Sequence, residues 1–166
     1  PTLWAGHTQG GEPLRRNMER IPLAKPYWDD ECEKAALATL SSGRWVKGPE
    51  GKKFGEEFAK WCGAISAVPC QSGSAALWAA MRLLDIGPGD EVIVPGMTFI
   101  ATATSVSLAG ATPIFADIED DYWCICPKDV EAKITDKTKA VIGVHLFGQA
   151  FSPQLREICD KYQIAL

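Results

Sequence analysis

From residue 64 onward, short apolar runs alternate with segments of helical periodicity, and this alternation restricts the fold more than any other feature of the 166-residue chain. Such a pattern is the signature of βα repeats around a largely parallel sheet, an α/β fold. It predicts strands over 65–70, 91–94, 113–117 and 140–145, with a fifth beginning at 164–166. Helices are predicted near 74–85, 99–109, 127–134 and 153–162. Pro127 and the pair Ser152-Pro153 open the last two, because proline fits a first turn whose N–H groups lack partners in any case. Gly87-Pro88-Gly89-Asp90 reads as a turn.

Upstream of the repeats the pattern differs. Residues 1–20 are rich in glycine and scattered charge without a period, which predicts an arm or disordered lead. Residues 21–63 read as a helical segment. Asp30 is the expected N-cap of a first helix, with Glu33 three positions on and Ala36, Leu37 and Leu40 on one face up to Gly43. After Gly48-Pro49, Phe54, Phe58, Trp61 and Cys62 recur at helical spacing, and Gly63 supplies a left-handed stop. Both helices are expected to be packing elements, and residues 64–166 form the α/β region.

Composition removes several function classes. Seventeen basic against 21 acidic residues give a net charge of −4 with no terminal basic run, so a nucleic-acid or anionic-membrane partner is not expected. The charge-free stretch from Val92 to Ala116 is long enough to suggest a membrane span. Pro95, Gly96, Gly110 and Pro113 interrupt it, however, and six Ser/Thr hydroxyls lie within it, so it reads as core. The six cysteines, at 32, 62, 70, 124, 126 and 159, are read as reduced and mostly structural. With no Cys-x-x-Cys and with His7 far from His145, no metal site is expected. The N-terminus lacks a charged-then-apolar leader pattern, from which a cytoplasmic location is expected.

In an open parallel sheet, the loops past the strand C-termini share one edge, and ligands bind there. That rule selects Ser72-Gly73-Ser74-Ala75, the segment from Pro95 to Phe99, and His145-Leu146-Phe147-Gly148. In the first, free amides at a helix start, a glycine allowing close approach and the Ser74 hydroxyl make an anion site, although Ser72 or Ser74 simply capping the helix explains the pattern equally well. The segment matches neither the Gly-x-x-x-x-Gly-Lys nor the Gly-x-Gly-x-x-Gly loop. Phe99 is placed to stack on a flat ligand, or is an ordinary core aromatic; His145 orients a ligand, or is a structural strand-end histidine.

These residues, taken in order, resemble the DegT/DnrJ/EryC1/StrS family of pyridoxal 5'-phosphate-dependent sugar aminotransferases. The resemblance runs from Ile21-Pro22-Leu23 through Ser42-Gly43-Arg44-Trp45, Gly48-Pro49-Glu50, Ser72-Gly73-Ser74-Ala75-Ala76-Leu77 and the stretch from Gly89 to Pro95. It continues through Thr98-Phe99-Ile100-Ala101-Thr102, Gly110-Ala111-Thr112-Pro113, Phe115-Ala116-Asp117-Ile118, the stretch from Val144 to Gln149 and the final Tyr162-Gln163-Ile164-Ala165-Leu166. It implies a three-layer α/β/α architecture, the first half of a fold-type I large domain, and a homodimer or higher oligomer. It also implies that Gly73, Ser74 and Ala75 cradle the cofactor phosphate, that Phe99 stacks on the pyridine ring, and that Trp45 and His145 lie near the substrate or in an active-site loop.

The resemblance further implies that the acidic partner of the pyridine nitrogen and the Schiff-base lysine lie beyond Leu166. On that expectation no catalytic residue falls in this chain, which would be truncated and inactive alone, with no covalent aldimine. The complete enzyme would move an amino group from a donor such as glutamate to a keto-sugar nucleotide; a dehydratase relative is a variant of the same reading. Two further readings compete: a non-catalytic, self-associating or partner-binding module, and a small serine hydrolase using Ser74, Asp117 and His145, which lacks the Gly-x-Ser-x-Gly elbow.

Overall fold

A computed structural model describes Pro22 and residues 24–166. The expected N-terminal arm, and Ile21 and Leu23 of the first matching motif, lie outside the described residues. The chain divides into two compact units, the first ending at Lys53 and the second running from Phe54 to Leu166.

In the first unit, helix α1 spans Asp30–Ser41. Its N-cap is Asp29 rather than the expected Asp30: Asp29 Oδ1 accepts the Cys32 N–H at 2.8 Å. That amide and the Tyr27 hydroxyl, which donates to Oδ2 at 2.7 Å, hold the Asp29 carboxyl down to about 2. Gly43 then takes a left-handed φ of 67° and ends the helix. Trp45 is 71% exposed, and its indole N–H donates to the Leu40 carbonyl at 2.9 Å. Helix α2, Pro49–Cys62, begins in this unit and ends in the next.

In the second unit the aromatic stripe of α2 forms a ladder, with ring centroids 5.7 Å apart for Phe54 and Phe58 and 5.9 Å for Phe58 and Trp61. The ladder is exposed; the residues α2 buries are Gly55 and Ala59. The expected strand over 65–70 does not form. A strand is held by a ladder partner, and Pro69 has no N–H to offer one. The segment instead runs against α2, where a Cβ on Gly55 would sit 2.7 Å from the Ala67 carbonyl oxygen, and it leaves Ile65 and Val68 exposed.

After helix α3, Gly73–Leu83, come strand β1, Glu91–Pro95, helix α4, Ala101–Leu108, and strand β2, Thr112–Ala116. Helix α5, Pro127–Lys133, strand β3, Thr138–Val141, and helix α6, Gln154–Tyr162, complete the order. The sheet is parallel, in the order β2-β1-β3. The expected strand over 140–145 thus ends at Val141, so Val144 and His145 belong to the loop. Residues 164–166 contribute a single parallel bridge to β3: the Ala165 N–H donates to the Lys139 carbonyl at 3.0 Å, and the Ala165 carbonyl accepts from the Val141 N–H at 2.9 Å.

Strand β1 is buried on both faces, as its unbroken Val-Ile-Val run predicts. Val92 and Val94 pack with Met81 of α3 and Val106 of α4, whereas Ile93 points the other way, toward Val130 of α5 and Leu155 of α6. Two helices therefore cover each face, giving three layers. Fully burying one such aliphatic side chain contributes about 1.5–3 kcal/mol, so the two clusters fix β1 as the centre of the unit.

Candidate ligand site

The chain leaves β1 toward α4 on one face and leaves β3 toward α6 on the other, although β1 and β3 are neighbours. Connections that diverge in this way open a crevice at the strand C-termini, where no crossover fills the gap. A cavity of about 680 Å³ lies there, lined from α3 by Gly73, Ser74 and Leu77, from the β1 loop by Thr98 and Phe99, and from the β3 loop by His145. All of these belong to the second unit.

At the α3 end, Ser72 is the N-cap, and its Oγ accepts the Ala75 N–H at 3.2 Å. The capping explanation therefore holds for Ser72 and not for Ser74, which lines the cavity. Gly73 and Ser74 occupy the first turn, where amides have no intrahelical acceptor and the helix dipole favours negative charge. A Cβ on Gly73 would meet nothing within 4 Å, so a ligand oxygen can approach the backbone closely.

Phe99 is 74% exposed, which overturns the core-aromatic alternative. Beside it, the Thr98 and Thr102 hydroxyl oxygens pair at 3.0 Å, and both residues line the cavity. Sequence reasoning missed this pair, because Thr98 lies in the bend before α4 and Thr102 in its first turn, so no helical spacing signals their contact.

On the third wall, His145 stacks on Phe151, with ring centroids 4.3 Å apart and planes 13° apart. The Phe151 N–H donates to His145 Nδ1 at 3.2 Å. A ring whose Nδ1 accepts carries its neutral-state proton on Nε2. This geometry corrects the serine-hydrolase reading, because a catalytic triad needs Nδ1–H to donate to a carboxylate. Asp117 is engaged elsewhere: its Oδ1 accepts the Ile118 N–H at 2.8 Å, and it is not among the cavity-lining residues.

Among the described residues no helix is long and apolar enough to cross a membrane, and no cluster of three or more potential metal ligands occurs. All six cysteines are free thiols, and burial pushes the Cys159 thiol up from its ordinary value.

Fold and cavity together define a three-layer, parallel α/β protein with an open helix N-terminus and an exposed aromatic at its switch point. The model of the DegT/DnrJ/EryC1/StrS aminotransferase family matches residues 26–166, and the chain belongs to that family. A dTDP-3-amino-3,4,6-trideoxy-alpha-D-glucose transaminase of Streptomyces venezuelae is 44% identical over 154 residues, covering 89% of this chain and 41% of the relative. Among solved structures, the PLP-form of a sugar aminotransferase from Streptococcus pneumoniae superposes with a TM-score of 0.81 at 32% identity, covering 88% of this chain and 38% of that one. A GDP-4-keto-6-deoxymannose-3-dehydratase with a trapped PLP-glutamate geminal diamine gives 0.82 at 30% identity, covering 89% and 40%. The chain spans 34–41% of the length of the curated relatives it matches.

Proposed function

We propose that residues 54–166 hold the phosphate and the ring of pyridoxal 5'-phosphate in a protein that moves an amino group from an amino-acid donor to a keto-sugar nucleotide. The observation that carries this reading is one cavity that gathers Gly73 and Ser74 from the start of α3, Phe99 from the loop after β1 and His145 from the loop after β3. The residues fit the group: an open helix N-terminus suits a dianionic phosphate, and a flat ring fits against an exposed phenyl face.

When bound, the cofactor supplies an electron sink for bonds to the amino-bearing carbon. The chain's own residues bind and orient it. The Gly73 and Ser74 amides and Ser74 Oγ donate to phosphate oxygens, and the Ala75 amide joins them when Ser72 Oγ releases it. Phe99 covers one face of the ring and excludes water from it. Trp45 keeps only the place near the substrate that the family resemblance gives it. The lysine and the acidic group that the amino-transfer chemistry also needs are proposed to belong to the whole protein, outside these residues.

Equilibrium binding of 4-deoxypyridoxine 5-phosphate, which has no aldehyde to react with lysine, tests the reading through quenching of tryptophan fluorescence. Charge-assisted hydrogen bonds are each worth about 1.5–3 kcal/mol, so the phosphate-free analogue is expected to bind at least about tenfold more weakly. Equal affinity for the two, or no saturable binding of either, would overturn the proposal.

A homodimer or higher oligomer and a cytoplasmic location belong to the same proposal. Exposed Trp61, Ile65 and Phe147 support the first, since association would cover apolar surface. Free thiols support the second. Sedimentation equilibrium giving a monomer at high concentration would remove the oligomer from the proposal.

A further inference from the structure

We infer that Phe151, seated against the backbone of Gly143, is a positioning residue that sets the plane and the tautomer of His145 for the ligand in the cavity. This inference rests on the proposed cofactor reading for the identity of the ligand, but not for the geometry. Phe151 is half-buried and packs against the core cluster that contains Ile93 and Leu155. Its ring therefore has a fixed support, and it passes that support to an exposed neighbour, His145, by nearly parallel stacking at 4.3 Å.

Two further contacts make the arrangement specific. The Phe151 N–H donates to His145 Nδ1, leaving Nε2–H as the neutral ring's donor. A Cβ added at Gly143 would lie 2.5 Å from Phe151 Cε1 and 2.8 Å from Cδ1, so only glycine lets the phenyl ring occupy this place. Gly143 and His145 both line the cavity, so the ring that Phe151 holds stands at the ligand's wall. A donor held by a packed neighbour loses less rotational freedom on binding than one on a free loop. The group that Nε2–H suits is an acceptor oxygen on the ligand's flat ring.

The test uses the full chain labelled with 15N-histidine. His145 is assigned by loss of its signals in His145→Gln, which separates it from His7. For the uncharged imidazole of the parent protein, reached by raising the pH until the nitrogen signals no longer move, long-range proton–nitrogen spectra are expected to show a pyridine-type Nδ1 and a pyrrole-type Nε2, with ring protons shifted by the Phe151 ring current. Phe151→Leu keeps the backbone donor but removes the stack; it is expected to abolish the ring-current shift and, by letting the imidazole turn away from that donor, to move both nitrogens toward tautomer-averaged values. Phe151→Tyr, which keeps the stack, restores them, and Gly143→Ala reproduces the leucine variant. Affinity for 4-deoxypyridoxine 5-phosphate is expected to fall about threefold to tenfold in Phe151→Leu and to change no further when the substitution is added to His145→Gln.

Unchanged nitrogen signals in Phe151→Leu would overturn the inference. So would an equal loss of affinity on adding Phe151→Leu in either background, since Phe151 would then act independently of His145. Failure of the parent to bind the probe overturns the cofactor reading alone, because the nitrogen spectra still decide the positioning role.

Discussion

Ser72 Oγ accepts the Ala75 amide at 3.2 Å, whereas Ser74, two positions later, lines the cavity. The two hydroxyls of one short motif therefore do different work, one in folding and one at the site. Ser72→Ala removes an N-cap and is expected to lower stability by about 1 kcal/mol. Ser74→Ala is expected to stay within about 0.5 kcal/mol of the parent while weakening 4-deoxypyridoxine 5-phosphate binding. Urea denaturation and probe titration of both variants separate the roles; a stability loss confined to Ser74→Ala would reverse the assignment.

Phe99 offers the same kind of separation. Truncating a buried phenylalanine costs about 3–5 kcal/mol, but Phe99 is 74% exposed. Phe99→Ala is therefore expected to cost less than about 1 kcal/mol of stability. Its loss should appear in probe affinity instead, by about twofold to tenfold, the range of one aromatic pairing. Denaturation midpoints near those of the parent, together with a weakened titration, are the expected pair of results.

Much of this organisation was legible in the sequence because it is set locally or by simple periodicity. The Val-Ile-Val run of β1, Pro127 opening α5 and Gly63 closing α2 all appear as their residue types predict. Two of the three predicted ligand segments do follow strands, β1 and β3, whereas the third reaches the cavity through Gly73 and Ser74 at the start of α3, with no strand before it. What failed depends on partners distant in the chain. The run over 65–70 has strand composition, but a strand exists only when another strand bonds to it, and here the segment lies against Gly55. The Phe151–His145 stack was equally hidden, because a ring contact six residues apart across a turn has no period. Gly143 was the available signal: a glycine near a strand end often marks the close approach of another group.

Gly110 and Gly73 are expected to respond in opposite ways to alanine. Gly110 has φ +88°, and a Cβ there would sit 3.1 Å from Pro88 Cγ, so the substitution combines left-handed strain of about 1–2 kcal/mol with crowding against a rigid ring. Gly73 is helical and open, so Gly73→Ala is expected to leave stability unchanged or raise it by up to about 1 kcal/mol. Thermal or urea midpoints of the two variants provide the check, and equal destabilisation would show that the α3 start is more crowded than the geometry indicates.

Asp129 links the end of β2 to α5. Lys133 Nζ, 2.6 Å from Oδ2, and the Asp117 N–H, also at 2.6 Å, hold its carboxyl below the ordinary value of 3.8. A carboxyl depressed in the folded state contributes stability that is fully present above its unfolded value and is lost as pH falls through the folded one. The parent is therefore expected to lose stability on acidification below about pH 4, and Asp129→Asn to lose less over the same interval. Urea midpoints at about pH 6 and about pH 3 measure both differences; identical acid sensitivity would mean that this carboxylate is not a source of it.

The three-layer arrangement makes its own energetic prediction, because Val94 and Leu155 lie in different core clusters while Ile93 and Leu155 share one. Val94→Ala is expected to cost about 1–3 kcal/mol and Leu155→Ala about 2–5 kcal/mol, the sum of lost burial and residual cavity. Sites without common neighbours add to within about 0.5 kcal/mol, so the Val94/Leu155 double variant should show the sum. Ile93→Ala combined with Leu155→Ala should depart from the sum by more than that, since one relaxing cavity serves both. Where the full double variants are too unstable, Val94→Ala and Ile93→Val against Leu155→Val read the same coupling on a smaller scale. Additivity for both pairs would mean that the α6 face does not pack on β1 as a single core, and non-additivity for both would mean that the sheet does not insulate one helical layer from the other.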